Sequence, residues 1–317
     1  MPSKTKPAQQ TERPARAFEE AVSRHLQERA RLLLSAQGQV LELLVSARAK
    51  IVETLTGQPS DFQQWQLTRL LGQINDVLDG AMGQAGALFA LRMSDAWKLG
   101  EDLIDKPLTA IGHSIEMVLP QLDMGVLKQM QAFGSLRLKD VGREASAKIG
   151  QQLGMVTIGG QSPFEAIKEV QKLLASDSPR RATAIVVTEV SRAFALASNE
   201  RLEQAADIVP ELGKQWRRSG KLHSRWNHDL VDGQVVGAKD QFSVPNPGGG
   251  IDKMKCPHDP NAPIEQVIHC GCVMLPWKKT WKVKTPGALP FSEKELTMDG
   301  RKAALEQARK RTEGRQE

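Results

Sequence analysis

Residues 15–57 read ARAFEEAVSRHLQERARLLLSAQGQVLELLVSARAKIVETLTG. Phe18, Val22, Leu26, Leu33, Val40, Leu44, Ile51 and Leu55 recur there at steps of four and seven. That spacing puts them along one stripe of a single long helix, with the charged residues on the opposite side. Gly57 and Pro59 mark its end. A helix of this length with one apolar stripe has to pack against other helices, which sets the fold class for the first half of the chain.

On the N-terminal side of this helix, residues 1–14 are polar and hold three prolines, and they predict a flexible leader. On the C-terminal side, Ser60-Asp61-Phe62-Gln63 has the form of a capping box, followed by an apolar stripe of Leu67, Leu71, Ile74 and Leu78. Gly80, Gly83 and Gly86 then interrupt a run of small residues before 88–97, a pattern that permits close helix contact. Arg92, Asp95 and Lys98 cut the apolar run too short for a membrane span.

Pro107 and Pro120 are expected to start or stop helices, the second of which runs through Leu122, Val126, Met130, Phe133 and Leu136 toward Leu153. The glycine spacing of 154–160 is that of a phosphate loop, but the Lys and Ser/Thr that would meet phosphate are missing, so it reads as a turn. Ser162-Pro163-Phe164-Glu165 supplies a cap, a proline at the first helical position and the glutamate of a capping box. A further helix is expected from Ser178-Pro179 to near Asp207, ended by Pro210.

Past Pro210 the helical period gives way to short segments separated by glycines and prolines, with strands expected at 234–236 and 267–275. Such strands are too short to be stable alone, so a crosslinking metal would be physically useful. All three cysteines and four of the six histidines fall in the window from His223 to Cys272.

A candidate zinc site uses His228, Cys256, Cys270 and Cys272, with His258 or His269 as the alternative nitrogen ligand, because tetrahedral Zn2+ accepts thiolate and imidazole. Cys270 and Cys272 are too close to bridge without strain, and the cysteine count is odd, so thiols or metal-bound thiolates are expected rather than disulfides. The competing reading places the pair on a short strand with one thiol merely packed in the core.

The chain has 317 residues, room for two domains, with 40% hydrophobic and 25% charged residues. Aromatics make up 4% and tyrosine is absent, which favours aliphatic helix packing. No apolar run reaches about 18 residues and no secretory signal pattern opens the chain, so synthesis in a reducing cytoplasm and no stable membrane span are expected.

The formal charge is +6, and from Lys278 to Glu317 eleven Lys or Arg stand against six Asp or Glu. Lys278, Lys279, Lys282 and Lys284, interleaved with Trp277 and Trp281, are therefore candidate contacts for double-stranded DNA. An edge strand protected by lysines explains the same residues without DNA. No Gly-x-Ser-x-Gly elbow, His-Glu-x-x-His pair or paired acids are found, so no hydrolase chemistry and no small-molecule substrate are indicated. The expected fold class is mostly α with a small C-terminal α+β module: an elongated helical region over 15–160, a domain over 161–276 whose part after Pro210 is a loop-rich His/Cys module, and a basic tail with a helix over 277–317.

The order of motifs adds a resemblance. Arg181-Ala182-Thr183-Ala184-Ile185 leads to Thr188-Glu189-Val190-Ser191-Arg192-Ala193-Phe194. Trp216, His228, Asp232-Gly233, Phe242, Pro257, Asp259-Pro260, Glu265 and Cys270-Gly271-Cys272 then follow in order. Together they resemble the phage Mu F-like minor head protein family over about 162–276. It is their order along the chain that carries the resemblance.

The resemblance implies a virion-associated minor head protein of a tailed phage, made in the host cytoplasm and acting in head morphogenesis near the portal, with a role in DNA packaging or delivery. It implies the portal and other head proteins as partners and no established enzyme activity. The family's signature positions fall on Glu189, His228, Asp232, Gly233, Cys270 and Cys272. This chain departs from the pattern with His269 in place of the usual asparagine, Gly271 in place of the usual arginine, and Cys256 where the family commonly has no cysteine. A zinc-stabilised DNA-binding protein, or a metal-dependent nuclease or delivered toxin with His228 activating water, is the alternative from another functional class.

Overall fold

The structure, a computed structural model, describes residues 8–57, 64–113, 115, 118–221, 224–246, 248–278 and 306. It is mostly helical with a small C-terminal β module: helices α1 (Ala8–Thr56), α2 (Gln64–Ala110), α3 (Met124–Thr157), α4 (Pro163–Ala175) and α5 (Asp177–Ala206) precede strand β1 (Gly213–Arg217). Helix α6 (Trp226–Leu230), β2 (Val235–Gly237), β3 (Phe242–Asn246), β4 (Gly250–Met254), α7 (Ile264–Val267) and β5 (Val273–Trp277) complete it. The capping motif at 60–63, His223, Trp281, Lys279, Lys282, Lys284 and, apart from the helical Glu306, the expected terminal helix lie outside the described residues.

Helix α1 begins at Ala8, so it takes in half of the expected leader. Polarity alone does not end a helix, and Gln9, Gln10, Glu12 and Arg13 are good helix formers. Six of the eight apolar stripe residues are buried, whereas Leu26 and Leu33 are half-exposed. His25, Arg29 and Ala36 fill the inward positions between them, which a hydrophobic pattern passes over.

Two compact units emerge, and each is assembled from separated stretches: residues 1–31, 95–124 and 191–317 form the first, and 32–94 and 125–190 the second. In the second unit the core is made by Ile51 and Leu55 of α1, Leu70, Ile74 and Leu78 of α2, Ala145, Ile149 and Leu153 of α3, and Val170 and Leu174 of α4. The close approach of α2 to α3 falls at Gly134 and Gly142. A Cβ there would come within 2.4 Å of the Phe89 ring and 2.7 Å of Met82. Gly80 and Gly83, which the sequence pattern favoured as contact points, face nothing within 4 Å.

At the end of α3, Gly159 takes φ 71° and the Gly160 N–H donates to the Met155 carbonyl at 2.9 Å, closing the helix in the left-handed manner that glycine allows. The capping box of α4 forms as the sequence predicts: the Glu165 N–H donates to the Ser162 hydroxyl, and the Ser162 N–H donates to the Glu165 carboxylate.

In the first unit, Ile104 and Leu108 of α2 and Ala195, Leu202 and Ala205 of α5 share one core with Trp216, Phe242, Val244, Met254 and Met274 of the β module. Gly100 lets α2 meet α5 closely, since a Cβ there would lie 2.4 Å from the Phe194 carbonyl oxygen. Asp105 and Arg201 form a buried bidentate pair with both contacts at 2.7 Å, and Arg201 also donates to the Pro120 carbonyl at 2.9 Å. Pro107 sits within the last turn of α2, which continues through it to Ala110.

The sheet of the module has the order β2-β1-β5, antiparallel throughout, with Trp216 opposite Met274 and Gln215 opposite Val235 and Leu275. β3 and β4 make a separate hairpin, Phe242 opposite Met254 and Asn246 opposite Gly250. The proline and glycine signals at 245–250 therefore belong to a two-stranded ribbon, where Pro245 lacks a donor on a strand with a free side. The strand expected over 267–275 begins only at Val273, because 264–267 are helical and a turn follows.

Candidate metal centre

Helix α6 is only five residues long, yet Asn227, His228, Asp229 and Leu230 are all buried. Its position is fixed from below by ionic contacts. The Arg218 N–H donates to Asp232 at 2.9 Å, and the fully buried Arg218 guanidinium lies 3.9 Å from Asp229 and 3.8 Å from Asp232. Ser224 donates to both oxygens of Asp229 at 3.1 Å. Gly233 follows with φ 76°, a backbone turn in the left-handed region that explains a glycine after Asp232. Its N–H donates to the Trp216 carbonyl at 2.8 Å, joining the turn to β1.

His228 then faces the segment that leads into β5. Its Nδ1 lies 3.5 Å from the Cys270 Sγ and 3.6 Å from the Cys272 Sγ, and the three potential ligand atoms all lie within 4.8 Å of one another. All three residues are buried. With Zn–S near 2.3 Å and Zn–N near 2.05 Å, a tetrahedral ion would hold sulfur and nitrogen about 3.6 Å apart. The observed edges match that separation, so this cluster can hold a metal ion.

The imidazole's tautomer follows from the groups behind it. Asp252 accepts from the Gln266 Nε2 at 2.7 Å, and a carboxylate can only accept, so the Gln266 amide is oriented with its oxygen the other way. That oxygen meets the His228 Nε2 at 2.8 Å, and it also accepts from Asn227 at 3.0 Å. His228 therefore carries its proton on Nε2 and turns the Nδ1 lone pair to the thiols. Such a partner behind a ligating histidine orients the ring and raises its basicity. Trp216 and Phe242 wall the site, with the Trp216 ring edge-on to His228 at 5.4 Å.

Cys270 is held well below the ordinary thiol range by the hydrogen bond from Cys272, with the neighbouring imidazoles of His258 and His228 adding to it against burial. Cys272 is pushed up by burial and by Cys270 beside it. One of the two is thus poised to be a thiolate, the form that binds metal. Arg29 is buried within the charge field of both; burial lowers its pKa to about 10 while the two cysteines oppose the shift. Its guanidinium donates to Ser191 at 3.2 Å and lies 5.1 Å over the Phe194 ring.

The remaining candidates take different places. Cys256 lies in the apolar core with Phe242 and Met254 and is absent from the ligand group, and burial raises its thiol to about 12. It is a core residue, two positions past the end of β4. His269 is exposed, and its backbone carbonyl accepts from Lys221 at 3.3 Å. His258 is fully buried and, like Cys256, lies outside the group of three, but neither of its ring nitrogens has a hydrogen-bond partner.

Lys278 directly follows β5, an edge strand of the sheet, and is half-exposed. Glu189, on α5 in the second unit, is buried and paired with Arg137 at 2.9 Å. Sequence reasoning missed Gln266 and Asp252, since a lone glutamine and a lone aspartate carry no spacing signal. No helix among the described residues is long and apolar enough to cross a membrane.

No family model matches the chain, and no solved structure matches it. A 98-residue stretch is 33% identical to the uncharacterized protein YqbB of Bacillus subtilis (strain 168). That stretch covers 30% of this chain and 30% of the length of the Bacillus protein.

Proposed function

We propose that this chain is a minor head protein of a tailed phage, acting in head morphogenesis near the portal, and that its C-terminal module is a fold tied together by Zn2+. The observation that carries the reading is the convergence of His228, Cys270 and Cys272 into one buried group. These are three of the six signature positions in the motif order that resembles the Mu F-like family. The other three also have structural work to do: Asp232 holds Arg218, Gly233 makes the turn, and Glu189 pairs with Arg137.

A scaffold role suits the site better than catalysis. His228 is 1% exposed, and both of its ring nitrogens are engaged, so it is poorly placed to activate water for a substrate in solution. Zinc suits the donor set, two soft thiolates with imidazole in tetrahedral spacing. The proposed partners are the portal and other head proteins, with double-stranded DNA as a partner of the basic tail.

Two measurements test this. Purified protein should contain one zinc per chain; substoichiometric zinc with folding indifferent to chelator would remove the metal reading. In a phage carrying the gene, the protein should be found in procapsids and virions, and its deletion should lower infectious yield or genome delivery. Unchanged yield and delivery would remove the assembly role.

A further inference from the structure

His258 is 0% exposed, and neither of its ring nitrogens has a hydrogen-bond partner. A buried imidazole with two orphaned polar atoms is an expensive arrangement, since each has given up its hydrogen bonds to water with nothing in return. It is also held in the left-handed region at φ 67°, which is unfavourable for a residue with a Cβ.

The neighbourhood enforces that backbone. Asp259 accepts from the Lys255 N–H at 2.7 Å and from the Asn261 N–H at 2.9 Å, and the Asp259 N–H donates to the Cys256 carbonyl at 3.2 Å. The turn Cys256-Pro257-His258-Asp259-Pro260 is thus built rigidly, and it presents an imidazole inside the protein. The Cys270 thiol has that imidazole as a charged neighbour, although His258 lies outside the group of three whose ligand atoms fall within 4.8 Å of one another.

We propose that His258 is the fourth ligand of the metal centre, closing a Cys2His2 site with His228, Cys270 and Cys272. The proposal rests on the reading of that cluster as a metal site and adds its coordination and its purpose. Binding takes both sulfurs as thiolates and releases any remaining thiol proton to solvent, so Zn2+ with two thiolates and two neutral imidazoles carries no net charge, as a buried site requires. Coordination would give one of the orphaned His258 nitrogens its partner.

Four protein ligands leave no position for water, which makes the centre structural. It would pin three separate segments together: α6, the turn after β4 and the entry to β5. Cys256 and His269 stay outside it, the first in the apolar core and the second exposed.

The test is zinc affinity and the visible spectrum of the Co2+-loaded full chain for wild type, His258→Ala, His258→Cys, Cys256→Ser and His269→Ala. Wild type should show the d–d bands of tetrahedral Co2+ with two thiolates. His258→Ala should lose zinc affinity by about 100-fold or more, beyond the range for loss of a merely supporting residue. His258→Cys should keep binding and gain thiolate-to-metal charge-transfer intensity, a readout that holds if the alanine variant fails to fold. Cys256→Ser and His269→Ala should bind as wild type does.

Unchanged affinity in His258→Ala, or no added charge transfer in His258→Cys, overturns the proposal while leaving a three-ligand site standing. A wild-type protein that binds neither metal overturns the metal reading itself.

Discussion

Gln266 illustrates how a residue outside the ligand set governs it. Its amide is anchored by Asp252 and turns its oxygen to His228, which leaves Nδ1 as the only ring nitrogen free to meet a metal between Cys270 and Cys272. Gln266→Ala should therefore lower zinc affinity by about 10–100-fold, in the range for loss of a second-layer partner, without removing a ligand. Chelator competition on the purified variant measures this, and unchanged affinity would show that the ring is held by packing alone. Because thiolates and neutral imidazole are the binding forms, affinity should also fall as pH falls. Of this centre, Cys270, Cys272 and His228 were legible from sequence, since sulfur and imidazole are scarce and their clustering stands out. Gln266 and Asp252 were not, because their role exists only through a three-dimensional hydrogen-bond chain.

At the level of elements, close packing and capping make separate predictions. Gly100→Ala would place a Cβ 2.4 Å from the Phe194 carbonyl oxygen, and a backbone atom cannot swing aside as a side chain end can. The helix preference of alanine gains roughly 1 kcal/mol, while overpacking costs about 1–3 kcal/mol, so the net change should be destabilising. Thermal or urea unfolding decides the sign.

Ser162→Ala removes a cap observed in the structure and should cost about 1 kcal/mol, read by the same unfolding curves. The capping bonds from Ser162 lower the Glu165 pKa below its ordinary 4.5. A carboxylate depressed in the folded state stabilises above its unfolded pKa, and that contribution is lost as pH falls through the folded value. An NMR titration should place Glu165 below 4.5. Helix starts such as this one were legible because a cap is a local device. The β3–β4 hairpin was not: prolines and glycines signal a turn, and only pairing turns its flanks into strands.

For the whole molecule, the metal links segments that are far apart in the chain, so its removal should act on one part of the protein before the rest. Limited proteolysis in the presence of chelator should cut first between residues 212 and 278, while the helices of the second unit, with their own apolar core, persist. Simultaneous loss of both would show that the metal governs the entire fold. The same logic applies to assembly: if the module docks to head proteins, ligand variants should be made in the host yet be missing from particles. Immunoblots of lysate and purified virions compare the two.

The sequence by itself determined the helices, from apolar period and caps, and the presence of a His/Cys cluster, from the rarity of those residues. Only the tertiary structure decided which stretches join, since α1, α2 and α5 each divide between the two units, α2 contributing to both cores, and local pattern is silent on partners. It also decided which members of the cluster meet. Cys256 and Cys270 are alike as residues, but one follows a hairpin into the apolar core and the other faces His228. That difference comes from chain path and packing, which no spacing of residues encodes.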